Sequence, residues 1–176
     1  MTLTDPQKAT LKAHILANTN QQVIDGLTNG DNGAIAAWYN EFASPAYFVW
    51  KPNVPASVIA DIIELDDVAN ITDTDGARLV RFFDIRSNNG GNFHGDRFSD
   101  REAFADVFSA AAGDQSETAI AKAWYRQATN VEKLFSLGTQ PGTEPAAKNV
   151  AVDAGPDELT FQGAITFQDV GAALNS

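Results

Sequence analysis

"WYNEFASPAYFVW", residues 38–50, sets Trp38, Tyr39, Phe42, Tyr47, Phe48 and Trp50 around one Ser-Pro step, and its reading decides the fold. Ile35, Trp38, Tyr39 and Phe42 fall at helical spacing, so a helix starting near Asn32 is expected. It should end before Pro45, because the residue ahead of a proline is pushed out of the α region. Tyr47, Phe48 and Trp50 then lie in an extended segment that folds back over the helix end. Aromatic rings gathered this way bury much apolar area and gain from edge-to-face packing. The stretch therefore reads as a local hydrophobic hub, the alternative being a binding surface.

Working outward toward the N-terminus, Thr4-Asp5-Pro6-Gln7 has the form of a capping box with proline in the first turn, and Leu11, Ile15 and Leu16 share one face. A first helix is expected over about 5–17. After Asn18-Thr19-Asn20, a short helix carries Val23, Ile24 and Leu27 and closes at Asn29-Gly30. Downstream, Pro55 opens a helix bearing Val58, Ile59, Ile62 and Ile63, followed by the acidic run Glu64 to Asp67. An amphipathic segment over about 76–86 turns Leu79, Phe82 and Phe83 inward, with Arg78, Arg81 and Arg86 between them. The run from Asn88 to Asn92 reads as a loop. Ser99-Asp100-Arg101-Glu102 reads as the cap of a helix with Phe104, Val107 and Phe108 that ends at Gly113. A last helix is expected over about 116–137, striped by Ile120, Trp124, Val131, Leu134 and Phe135 and stopped by Gly138.

Beyond Gly138 the composition changes. Thr139 to Ala147, rich in Pro, Gly and Thr, reads as a linker. Val150 and Val152 precede a turn at Asp153–Asp157, after which Leu159, Phe161, Ile165 and Phe167 alternate with Thr160, Gln162, Ala164 and Thr166. Period-two alternation after a Gly-Pro turn argues for strands, and a hairpin this small must dock on something else. The expected fold is mainly α: a bundle of about five to seven short helices in a body over 1–138, with a linker and β-forming C-terminal arm over 139–176.

The chain has 176 residues and is 44% hydrophobic, which suits one sizeable core. No apolar run approaches the roughly 18 residues of a membrane span. MTLTDPQKAT lacks the basic flank and apolar centre of a secretory signal, and with no cysteine there is no disulfide framework. Synthesis in a cytoplasm is the expectation. Twelve Lys and Arg against 23 Asp and Glu leave a formal net charge of −11. Such a surface repels a nucleic-acid duplex at long range, because binding needs cations to replace phosphate counterions. It fits a protein that sits beside DNA without adhering, or one steered toward a basic partner.

Motifs for chemistry are sparse. There is no thiol, and His14 and His94 stand far apart without a Gly-x-Ser-x-Gly elbow. Asp73-Thr74-Asp75-Gly76 has the alternate carboxylates of a calcium loop but lacks a third placed acid and its closing glutamate, and the simpler reading is that Asp73 and Asp75 cap a helix beginning at Gly76. His94-Gly95-Asp96 is too small a set for a structural metal. Gly90-Gly91 is not followed by Gly-Lys-Ser/Thr, so no Walker loop is present. No catalytic, cofactor-binding or metal-binding residue is assigned, and no cofactor is expected.

Three stretches carry a family likeness: Tyr39 to Lys51 (YNEFASPAYFVWK), Glu132 to Thr139 (EKLFSLGT) and Leu159 to Asp169 (LTFQGAITFQD). Together they resemble a group of small proteins encoded among the virion genes of tailed bacteriophages. The likeness covers the two ends of the chain better than residues 55–100, and it implies a virion part without enzymatic activity. A helical body with a β-forming tail is similar to head-to-tail adaptor (connector) proteins, which stack as rings beneath the portal and grip neighbours with terminal arms. That likeness implies a homo-oligomeric ring in the neck of the particle, with portal and tail proteins as partners and DNA passing without specific binding. Neither membrane nor cofactor enters, and the protein is expected in the virion. The subunit-interface candidates are then Val150, Val152, Leu159, Phe161, Ile165, Phe167 and Trp50. Head completion, tail completion and capsid decoration fit the same likeness. An acidic host-directed binding protein acting by charge mimicry is the reading from another class, and a hydrolase with a site invisible to motifs is a third.

Overall fold

The computed structural model describes residues 3–88, 90–108, 114–144 and 155–176. In chain order the elements are α1 (Asp5–Leu16), α2 (Gln21–Asn29), α3 (Asn32–Asn40), β1 (Phe48–Trp50), β2 (Val54–Pro55), α4 (Ala56–Ile62), α5 (Leu65–Asn70), α6 (Asp73–Asn88), β3 (Asn92–Phe93), α7 (Phe98–Phe108), α8 (Asp114–Trp124), β4 (Tyr125–Gln127), α9 (Asn130–Leu134) and α10 (Phe167–Leu174). The protein is mainly helical, as the periodicity indicates. The described elements fall into two units: Met1–Tyr47 with Gln127–Leu137 and Leu159–Ser176, and Phe48–Arg126 with Gly138–Glu158.

The first unit begins with helices whose ends are closed by side chains. Gln7 accepts from the Thr4 N–H at 2.9 Å, Asn20 accepts from the Gln22 N–H at 3.0 Å, and Asp31 accepts from the Ala34 N–H at 3.0 Å. Gly30 takes the left-handed C-cap between α2 and α3, with φ of 67°. The α2–α3 packing is close: a Cβ on Gly26 would stand 2.6 Å from Ile35 Cγ1. Leu11, Ile15, Val23, Ile35 and Tyr39 from these helices meet Val131 and Phe135, and Phe161, Ile165, Val170 and Ala173 complete the core.

The second unit has its own core. Phe93, Phe104 and Trp124 form an edge-to-face stack, with Phe93 and Phe104 ring centroids 4.9 Å apart and Phe104 and Trp124 5.3 Å apart. Trp50, Ile59, Leu79, Val107, Phe108 and Ile120 surround it. β1 pairs with β4, and β2 pairs antiparallel with β3, Val54 opposite Phe93 and Pro55 opposite Asn92. Gly95 follows β3 in a space that holds nothing larger, since a Cβ there would lie 2.8 Å from both the Lys51 and Trp124 carbonyl oxygens. The acidic run at α5 is structural: buried Asp67 accepts from the Ser116 N–H at 2.7 Å, and the Ser116 hydroxyl accepts from the Glu64 N–H at 2.9 Å.

Five expectations are corrected. The aromatic stretch is not one hub: Tyr39 is buried in the first core, Trp50 in the second, and Phe42 is exposed. It is the segment through which the chain passes from one unit to the other, with a cis Ser44–Pro45 bond. The helix expected over 116–137 is interrupted, because Tyr125–Gln127 is β4 and a fresh capping box, Thr129 with Glu132, starts α9. One unbroken stripe could serve one core only, whereas Trp124 belongs to the second and Val131 and Phe135 to the first. α7 starts at Phe98, ahead of the expected cap, and its Asp100 and Arg101 are buried. The cap of α6 is Thr72, whose hydroxyl accepts from the Asp75 N–H at 3.2 Å, so the helix starts at Asp73 and not at Gly76.

The fifth correction concerns the C-terminal arm. Among the described residues there is no hairpin after Gly138. Thr139 to Glu144 packs within the second unit, where the Phe48 N–H donates to the Gly142 carbonyl at 2.7 Å and the Tyr125 hydroxyl donates to Glu144 at 2.5 Å. The alternation from Leu159 onward reflects an extended segment laid on the first core, and it turns into α10 at Phe167 behind a Thr166–Asp169 capping box. Period two matched a strand, but only the Ser136–Leu159 bridge gives this segment β pairing.

Candidate assembly surface

Burial divides the residues proposed for subunit contacts. Phe161 and Ile165 are buried in the first core and Trp50 in the second, so none of the three offers a surface. Leu159 is half-buried at its bridge to Ser136. Phe167, on the first turn of α10, is 58% exposed. Val150 and Val152 lie outside the described residues.

Buried polar anchors explain why the C-terminal stretch is held. Asn40 grips Ile165 on both sides, its Nδ2 donating to the carbonyl at 2.8 Å and its Oδ1 accepting from the N–H at 2.9 Å. Glu132 is buried, and its two oxygens accept from the Gly163 N–H at 3.0 Å and the Thr129 N–H at 3.1 Å. The Thr160 N–H donates to the Phe135 carbonyl at 2.9 Å. In the second unit, fully buried Asp157 accepts from the Gly138 N–H at 2.7 Å, the Thr139 hydroxyl at 3.0 Å and the Glu158 N–H at 2.9 Å. Charged acceptors with full sets of donors are the arrangement in which burial of a carboxylate is tolerated. Sequence alternation does not reveal such anchors, because Glu132 and Asp157 look like two acids among many.

What the first unit does present to solvent is apolar in places that periodicity assigned to the core. Phe42 is 67% exposed and Leu16 63%. Phe42 follows α3 and bridges Thr129 through its backbone, which fixes the chain but leaves the ring outside. Periodicity places Phe42 on the helix, but α3 ends at Asn40 with Glu41 as its C-cap, which leaves Phe42 beyond the last helical turn.

The histidines are placed apart in function as well as in sequence. His14 Nδ1 lies 2.6 Å from the Tyr39 hydroxyl, with the rings edge-on at 5.7 Å. Burial holds the His14 pKa below its usual 6.5 and drives the Tyr39 phenol up to about 12, a hydrogen bond from Asn18 opposing the latter. The pair is therefore kept neutral. His94 Nδ1 is 3.9 Å from Asp96, and its backbone N–H donates to Asp100 at 2.9 Å. Lys51 is lowered by burial and then by Arg126, while Tyr125 is raised to about 12 by burial and by its bond to Glu144. Of the three arginines on α6, Arg86 pairs with Asp100 and Arg78 with Asp75 at 3.2 Å.

Among the described residues, no group of three or more His, Asp or Glu is placed to hold a metal ion, and no helix is long and apolar enough to cross a membrane. No protein-family model, curated protein or solved structure matches the chain.

Proposed function

We propose that this protein is a non-enzymatic structural component of a tailed-phage virion, most simply a ring-forming adaptor between portal and tail. The observation that carries the reading is convergence. Of the three stretches that resemble phage virion proteins, the parts at 39–47, 132–137 and 159–169 all belong to the first unit. There Phe135 and Phe161 pack at 5.5 Å, and the Tyr47 and Ser136 hydroxyls lie 3.1 Å apart. The likeness thus falls mainly on one folded unit, with its parts at 48–51 and 138–139 in the second, to which residues 55–100, where it lapses, also belong. A net charge of −11 suits a wall past which DNA must slide.

Because Phe161 and Ile165 are interior, self-association is assigned here to exposed apolar residues of the first unit, among them Phe42, Leu137 and Phe167. Mass spectrometry of purified particles tests the reading: the protein should be present at a fixed copy number, and its absence from complete infectious particles would end it. Tight, steeply salt-dependent binding to a basic host factor would favour charge mimicry instead.

A further inference from the structure

The second unit contains a half-enclosed cavity of about 170 Å³ between α6 and α7. Three aromatic rings shape its walls: Phe82 and Phe104, with centroids 5.9 Å apart, and Phe93, edge-on to Phe104 at 4.9 Å. Half-exposed Ile85 stands at the mouth. On α7 the cavity is bounded by Ser99 and Ala103, which are four residues apart and so lie on one face of that helix. These two small side chains leave open a volume that a larger apolar residue at either position would fill. An unfilled apolar space forfeits dispersion contacts and costs stability, and water inside it finds few partners.

One polar edge interrupts the carbon lining. Arg86 borders the cavity with its guanidinium 5.9 Å from the Phe93 ring centre, and it is ion-paired with Asp100. Both Asp100 oxygens are engaged, one by Arg86 and the other by the His94 N–H at 2.9 Å. A guanidinium has five N–H groups, so Arg86 retains donors beyond that pair. The local charge is balanced and the chain as a whole is at −11, which disfavours an anionic visitor. The chemistry that fits is a flat apolar ring bearing an uncharged acceptor.

We propose that this cavity is a binding site for a small neutral single-ring aromatic molecule carrying a carbonyl or phenol oxygen. The ring lies against Phe82 and Phe104, and the oxygen accepts from Arg86. A volume near 170 Å³ is comparable to engineered apolar cavities that take up benzene. This site is independent of the assembly reading and stands or falls separately from it.

The test uses the full chain and benzamide as probe, followed by NMR titration. Saturable binding is expected with a Kd of about 1 mM, in keeping with a ligand of this size. Intermolecular NOEs should connect the probe to the Phe82 and Phe104 ring protons. Ala103→Leu should fill the space, raise Tm, and weaken benzamide binding by about tenfold or more. Absence of binding at about 10 mM probe, NOEs to residues elsewhere, or undiminished affinity in a folded Ala103→Leu protein would each overturn the proposal. The NOE measurement on the unsubstituted protein decides the matter even if that variant fails to fold.

Discussion

At the scale of single residues, the fold relies on buried polar groups whose donors are all internal. Replacing Glu132 with Ala leaves the Gly163 and Thr129 N–H groups without their acceptor, which is expected to cost about 1–3 kcal/mol in urea unfolding. Trp50→Ala should cost about 3–5 kcal/mol, because the indole is buried and lies under the Arg101 guanidinium at 4.2 Å. A loss well under 1 kcal/mol would place Trp50 outside the core. The His14–Tyr39 pair predicts a pH profile. The folded state disfavours the charged form of both groups, so the unfolded chain binds more protons at His14 and fewer at Tyr39. Stability should fall as pH drops below 6.5, and fall again as pH rises from 10.0 toward about 12, with a plateau between. Tyr39→Phe should remove its share of the alkaline loss, and urea midpoints across pH measure it.

At the scale of elements, local punctuation was legible where helix ends carry their own chemistry. Thr4, Asn29-Gly30 and the boundary before Pro45 all mark real ends, because caps and proline act within a few residues. The elements that misread are those decided by distant partners. Tyr125–Gln127 has helix-compatible neighbours on both sides and becomes a strand because β1 is there to pair with it. The stretch from Leu159 to Thr166 alternates because one side meets the Phe135 core, not because a second strand lies beside it. Phe161 and Ile165 are interior for the same reason: apolar alternation says that a residue wants cover, and the first core supplies it within the chain. Deleting residues 159–176 should therefore unfold the first unit, lowering far-UV helix signal far beyond the loss of α10 itself. A folded, helical product would restore the free-arm reading. Thr129→Ala, which removes the cap of α9, should cost about 1 kcal/mol.

At the scale of the whole molecule, composition indicated one core and the chain built two, each with its own aromatic and aliphatic side chains. Nothing in the hydrophobic pattern separates them, since Tyr39 and Trp50 are equally apolar and only their partners differ. If each core supports its own unit, Phe104→Ala should speed amide exchange in residues 48–126 while leaving α1 to α3 protected. Uniform acceleration would refute that independence. Phe42→Glu with Phe167→Glu should leave the monomer folded and shift size-exclusion elution to smaller species, provided the first unit makes the ring contacts. The path of the chain has a further consequence. It leaves the first unit at Tyr47, returns at Gln127, leaves at Leu137 and returns at Leu159. On a translating ribosome, α1 to α3 emerge before the rest of the first unit and wait with their apolar faces unsatisfied until Leu159–Ser176 has been made. The second unit, complete at Glu158, is able to close earlier, so α1 to α3, made before it, mature after it and stay longest open to off-pathway association.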